Sequence, residues 1–221
     1  MLNNSRKNQF GFSIAELLVA LVINLILLSA LIGVFSTNTS HYTKVTKSDM
    51  LNQQLETALQ LMENDIRRAG YWGNASNDIG SGQNTNPFMS AATDVTVVGN
   101  CILFAYDYDN NGSLPSVSSS SDDERYGYRL NSNTIQTRPP GAPFDCSASS
   151  NSWENVTDPN IVKITTLTFN LVTKTVPAGQ ASNTIVTRSV DIQITGQLVT
   201  DATVTKTLNQ HVRIRNDKFT P

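Results

Sequence analysis

Gly11-Phe12-Ser13-Ile14-Ala15-Glu16-Leu17-Leu18-Val19-Ala20-Leu21 opens the segment that decides the fold, the run FSIAELLVALVINLILLSALIGVF at residues 12–35. Nineteen of its 24 residues are apolar. A helix of that length, at about 1.5 Å per residue, reaches about 36 Å and can cross a hydrocarbon layer of about 30 Å. Arg6 and Lys7 precede it, and residues 1–11 hold no acid. That charge bias predicts a cytoplasmic N-terminus and a translocated C-terminal part. A cleaved secretory signal would have a shorter apolar region, of about 7–15 residues. A plain signal anchor explains the length but not Glu16. A buried core helix explains neither the flanking charge nor a perimeter without a polar stripe.

Glu16 is the informative residue. An acid within a membrane helix costs about 2.5–3.5 kcal/mol on insertion scales, so it calls for a partner. Residues 12–35 contain no Lys, Arg or His, so the partner must come from another chain or from a newly made charge. With Gly11, Phe12 and Glu16 in this arrangement, the stretch resembles the processing site of type IV prepilins and pseudopilins. The resemblance implies a membrane-bound prepilin peptidase that cuts between Gly11 and Phe12 and then N-methylates Phe12. Glu16 becomes the fifth residue of a 210-residue mature chain with 14 basic and 18 acidic side chains, a formal charge of −4. The family supplies the missing partner, the α-amino group of Phe12 in a neighbouring subunit, and pairing the two offsets the burial of either charge alone. Two positions depart from or add to the pattern. Gly33 stands where many major pilins have proline, and glycine weakens a helix less. Asn24, mid-span, either bonds across helices or satisfies itself locally.

After Phe35 no proline or glycine occurs until Gly70. Leu51, Leu55, Ala58, Leu59, Met62, Ile66 and Ala69 share one helical face, whereas Glu56, Glu63, Asp65 and Arg67 fall off it. Glu63 and Arg67 form an i,i+4 pair of favourable orientation, and Gly70 reads as a C-cap. The spacing predicts a helix over residues 12–69, about 87 Å long. Its apolar stripe should pack on a β-sheet, since it is too short for a free coiled coil. The domain plan is a leader at 1–11, a transmembrane half-helix at 12–35, an amphipathic half-helix at 36–70 and a β-rich domain at 71–221.

Residues 72–94 lack periodicity and read as a long loop; the resemblance implies a role in subunit contacts. Strand-like runs follow at 95–106, 126–138, 161–172, 190–195 and 212–215, several alternating apolar and polar with period two. They predict about five strands in an antiparallel sheet with one wet face, hence an α+β class. Leu61-Met-Glu-Asn-Asp-Ile-Arg-Arg-Ala-Gly-Tyr71 resembles the helix end of the PilW/PulJ group. Trp153, Asp158-Pro159 and the closing Val212-Arg-Ile-Arg-Asn-Asp217 are also similar to that group. Cys101 and Cys146 are the only cysteines. In a domain expected outside the cytoplasm they read as a disulfide, with two buried free thiols as the alternative.

Composition excludes several functions. Sixteen basic against 18 acidic residues give a formal charge of −2, which excludes a general basic nucleic-acid binder. Two cysteines and two histidines, His41 and His211, argue against a clustered zinc site and a histidine-centred catalytic constellation. The uncharged polar residues Ser, Thr and Asn make up 69 of 221 positions, a surface common on secreted β-rich proteins. Asp107-Tyr-Asp109-Asn-Asn111-Gly112 fits the start of a calcium loop, but its twelfth position is Ser118 rather than glutamate and no helices flank it. It reads as a solvated turn, and no metal or cofactor is assigned. Residues 116–124, SVSSSSDDE, read as a flexible solvated loop whose acids Asp122, Asp123 and Glu124 have nothing apolar nearby to shift a pKa. Arg213, Arg215 and Lys218 form at most a small DNA-contacting patch; charges on an edge strand explain them as well.

These readings converge on a non-enzymatic minor pilin of the PilW kind. It would sit in the inner membrane with its C-terminal domain in the periplasm, and then in a type IV pilus at the cell surface. The resemblance implies a role in initiation or tip assembly, with the peptidase and other minor and major pilins as partners and a tip adhesin beyond them; nucleic acid is not expected. Loss of pili or twitching with secretion intact would separate it from its rival, a J-type minor pseudopilin of a type II secretion system. A tethered enzyme or binding protein, and a ligand-binding tip adhesin, are the further alternatives.

Overall fold

The computed structural model describes residues 11–78, 81, 83–115, 122–147, 152–179 and 182–221. Arg6 and Lys7 of the leader lie outside the described residues. The chain divides into two units, Met1–Thr46 and Lys47–Pro221.

A single helix, α1, runs Ile14–Arg68. Gly33 does not interrupt it, because one glycine costs about 1 kcal/mol, less than the bonds on either side supply. Every side chain from 14 to 46 is exposed. This part of α1 has a window of mean hydropathy 2.9 with none of it buried, long and apolar enough to cross a membrane.

In the second unit the stripe closes as its spacing predicts. Leu51, Leu55, Ala58, Leu59, Met62, Ile66 and Ala69 are all buried, and Glu63 pairs with Arg67. Gly70 takes φ +73°, the left-handed conformation that ends the helix, and its N–H donates to the Ala105 carbonyl at 2.8 Å. The last helical carbonyls, which have no intrahelical donors, are met from elsewhere in the chain. Asn216 Nδ2 donates to the carbonyls of Arg68 and Ala69, and the Arg215 N–H to that of Arg67. A Cβ at residue 70 would lie 2.4 Å from Met89 Cε. Gly70→Ala is therefore expected to lower stability by about 1–3 kcal/mol, read from urea unfolding, through both the left-handed backbone and the displaced Met89.

The class is α+β, with the helix packed on antiparallel sheets. Among the described residues there are nine strands in two sheets, rather than about five in one. The first sheet is a meander of β1 Thr96–Val98, β2 Cys101–Ala105, β3 Arg125–Asn131, β4 Thr134–Thr137 and β5 Glu154–Asn155. The second orders β6 Val162–Pro177, β7 Thr184–Leu198 and β8 Thr205–Arg213, with β9 Lys218–Thr220 pairing the start of β7. Two of the expected single strands are hairpins. Gly99 at φ +59° splits the first, and Ser132 and Asn133 at φ 50° and 63° split the second. Two-residue turns with positive φ match strand twist, so the Gly99-Asn100 pair was a readable signal.

Both sheets face the stripe of α1. Ile102, Phe104, Tyr128 and Ile135 from the first sheet join Ile164, Leu167, Phe169, Val190, Ile192, Ile194 and Val212 from the second in one core. Strand β2 is buried on both faces, which is why Cys-Ile-Leu-Phe-Ala runs apolar without alternation. Its second face meets Trp72 and Phe88 at one end and Trp153 at the other. Residues 72–94 are correspondingly not a featureless loop. They hold two short 3-10 helices, Ala75–Asp78 and Pro87–Met89, and Phe88 is fully buried.

Candidate functional site

Gly11, Phe12 and Ser13 precede the helix, and Phe12 is 89% exposed. The Gly11–Phe12 bond therefore lies in non-helical backbone. Within its own chain Glu16 meets a neutral hydrogen-bond donor. Its Oε2 accepts the Ser13 N–H at 2.9 Å, while Ser13 Oγ accepts the Ala15 N–H at 3.3 Å. This is a capping box of the S-x-x-E kind in which the Ser13 hydroxyl takes the second rather than the third helical N–H, and the pattern was legible in Ser13-Ile-Ala-Glu16. The partner is a neutral N–H. Among the described residues no Lys, Arg or His pairs with Glu16.

In the second unit, Asp65 ties the helix to the first sheet. Its carboxylate accepts from Tyr128 Oη at 2.5 Å, Tyr106 Oη at 3.3 Å and Arg68 Nη2 at 2.6 Å. The Arg68 guanidinium lies 4.5 Å from the centre of the Tyr106 ring, which stacks on Tyr126 at 4.1 Å. Burial first, and then the Asp65 charge, push the hydroxyls of Tyr106 and Tyr128 far above the ordinary tyrosine range, so both remain donors.

Cys101 and Cys146 are joined by a disulfide that ties β2 to the segment after β4. Closing a loop of 45 residues contributes about 4 kcal/mol in the chain-entropy treatment. Beside it, the Arg129 guanidinium sits 4.4 Å from the Trp153 ring centre and donates to the Cys146 carbonyl at 3.0 Å.

The acids of the expected solvated loop differ most from the sequence reading. Residues 116–121 lie outside the described residues and Asp122 is exposed, but Asp123 and Glu124 are buried. Asp123 joins two arginines. Its Oδ1 accepts from Arg125 at 3.2 Å and its Oδ2 from Arg138 at 2.5 Å, with the Asp123 and Arg138 side chains fully buried. Glu124 lies against Asp107 and Asp109, and one oxygen from each of the three falls within 4.8 Å of the others. Burial, above all, raises the Glu124 pKa, with the Asp107 and Asp109 charges adding to it against two backbone hydrogen bonds. Asn111 is not in this set: its Nδ2 donates to Asp109 and its Oδ1 accepts the Ser113 N–H. No sequence signal linked Glu124 to Asp107, because only the β2–β3 pairing brings them together.

The basic residues near the C-terminus are mostly spoken for. Lys218 Nζ pairs with Asp94 at 2.6 Å, Arg213 with Asp217 at 3.5 Å, and buried Arg188 also meets Asp94.

A family model described as "Prepilin peptidase-dependent protein B" matches residues 44–214. The match lies wholly beyond Gly11, Phe12 and Glu16, so it is independent of the leader motif. Neither a curated protein nor a solved structure matches the chain. Matched over most of its length, the chain belongs to the prepilin peptidase-dependent protein B family and is a pilin-related protein.

Proposed function

We propose that this chain is a minor pilin of the PilW/PulJ group, a non-enzymatic structural subunit that takes part in initiating or tipping a type IV pilus. The observation that carries the reading is a coincidence of independent features in one chain. A body matching a prepilin peptidase-dependent family follows an N-terminus with glycine, phenylalanine, a glutamate at the fifth position after the cut, and a long exposed apolar helix. In this reading the peptidase cuts between Gly11 and Phe12 and methylates the new α-amino group of Phe12. The helix holds the chain in the inner membrane with the disulfide-closed β domain in the periplasm. During assembly the apolar segments of neighbouring minor and major pilins bundle, and the β domain carries contacts to tip partners.

The test is mass analysis of the mature protein from a cell with active peptidase. The expected species begins at methylated Phe12 and has 210 residues. A species that retains Met1 overturns the reading.

A further inference from the structure

We propose that Asp107, Asp109 and Glu124 bind a hard divalent cation, calcium, between the segment leaving β2 and the segment entering β3. Glu124 stands fifteen or more residues from Asp107 and Asp109, which share one turn, yet one oxygen of each of the three lies within 4.8 Å of the others. Asp107 and Glu124 are only 2% and 3% exposed. Each is pinned by one oxygen alone. Asp107 Oδ2 accepts the N–H groups of Gly73 at 2.7 Å and Gly112 at 3.0 Å. Glu124 Oε1 accepts those of Tyr108 at 2.5 Å and Asp109 at 3.3 Å. The other oxygens, Asp107 Oδ1 and Glu124 Oε2, are buried without any hydrogen-bond partner.

A buried carboxylate oxygen without a donor is costly, and two beside a third carboxylate repel one another. Among the described residues no Lys, Arg or His forms an ion pair with any of the three. The nearby arginines are engaged with other acids, Arg125 and Arg138 with Asp123 and Arg68 with Asp65. A bound cation removes both penalties at once, satisfying the two orphan oxygens and compensating the three negative charges. The donors are all oxygen, which selects a hard ion over zinc or copper. Asp109 is exposed, so water can complete the shell on that side. Calcium accepts six to eight oxygens in irregular geometry, whereas magnesium demands a near-ideal octahedron. Glu124 thus supplies from across the hairpin the carboxylate that Ser118 does not supply at the loop's twelfth position. The inference stands whether or not the chain is a pilus subunit.

The experiment uses the full chain in detergent, stripped with EDTA and titrated with calcium chloride or magnesium chloride, followed by calorimetry and by thermal unfolding. Calcium should bind at one site and raise the Tm by roughly 5–10 °C at a hundredfold excess over Kd. Glu124→Gln keeps an oxygen for the Tyr108 and Asp109 N–H groups but removes a buried charge. In EDTA it should unfold at or above the wild-type temperature, yet it should lose the calcium response. Asp109→Asn, at an exposed position, should weaken calcium binding at least tenfold, by analogy with the loss of one charge-bearing ligand. No heat and no Tm shift up to about 10 mM calcium, beyond the range of weak extracellular sites, overturns the proposal. So does a calcium response retained in both variants, or a larger response to magnesium.

Discussion

Glu16→Gln is expected to leave the chain inserted and cleaved after Gly11 but to cut its incorporation into filaments by about two to three and a half orders of magnitude. The estimate follows from the cost of leaving one member of a low-dielectric ion pair alone, about 3–5 kcal/mol, at 1.4 kcal/mol per factor of ten. Gln is the informative substitution because the capping box accepts Glu or Gln at this position. The Ser13 N–H keeps an acceptor, the helix start survives, and only the charge is removed. Immunoblotting of sheared filaments against the membrane fraction measures the ratio, and mass analysis of the membrane pool verifies the cut. Wild-type incorporation of the Gln variant would reduce Glu16 to a helix cap and remove the intersubunit pairing from the scheme.

The largest stability effect should come from Asp123→Ala, at about 3–5 kcal/mol, or a fall in Tm of roughly 6–20 °C for a domain of this size. The Arg138 side chain is fully buried and Asp123 is its acidic partner. Around it the remaining acceptors are neutral carbonyls, those of Arg125, Pro143 and Ala142, and the Phe144 ring lies 5.5 Å away. Alanine would strand that guanidinium and deprive the Gly141 and Arg125 N–H groups of their acceptor. Asp123→Asn retains an acceptor oxygen and should cost less, with the difference between the two separating hydrogen bonding from charge. Urea or thermal unfolding of the full chain gives both numbers. A loss below about 1 kcal/mol for Ala would mean that Arg138 reaches water in solution, as exposed pairs do.

Local periodicity carried the helix. The residues 51–69 stripe follows from a 3.6-residue repeat, and every member of it is buried. The apolar segment, the Gly70 stop and the α+β class were legible for the same reason: each rests on interactions within a few positions of chain. Strand runs were legible as β but miscounted, because the turns at Gly99-Asn100 and Ser132-Asn133 are only two residues long and β-rich residues flank them closely on both sides.

The chain by itself determined where the apolar helix starts and stops, which face of it is buried, and which bond a prepilin-type processing site would offer. Tertiary structure decided which charges meet. Asp65 with Tyr106 and Tyr128, Asp123 with Arg138, and Asp107 with Glu124 are each separated by more than a dozen residues. An ionisable side chain reads as solvated in sequence because polarity is local, whereas its burial is set by the sheet pairing and helix packing that close over it. That is why the acids after residue 121 read as solvated, while Asp123 and Glu124 are buried.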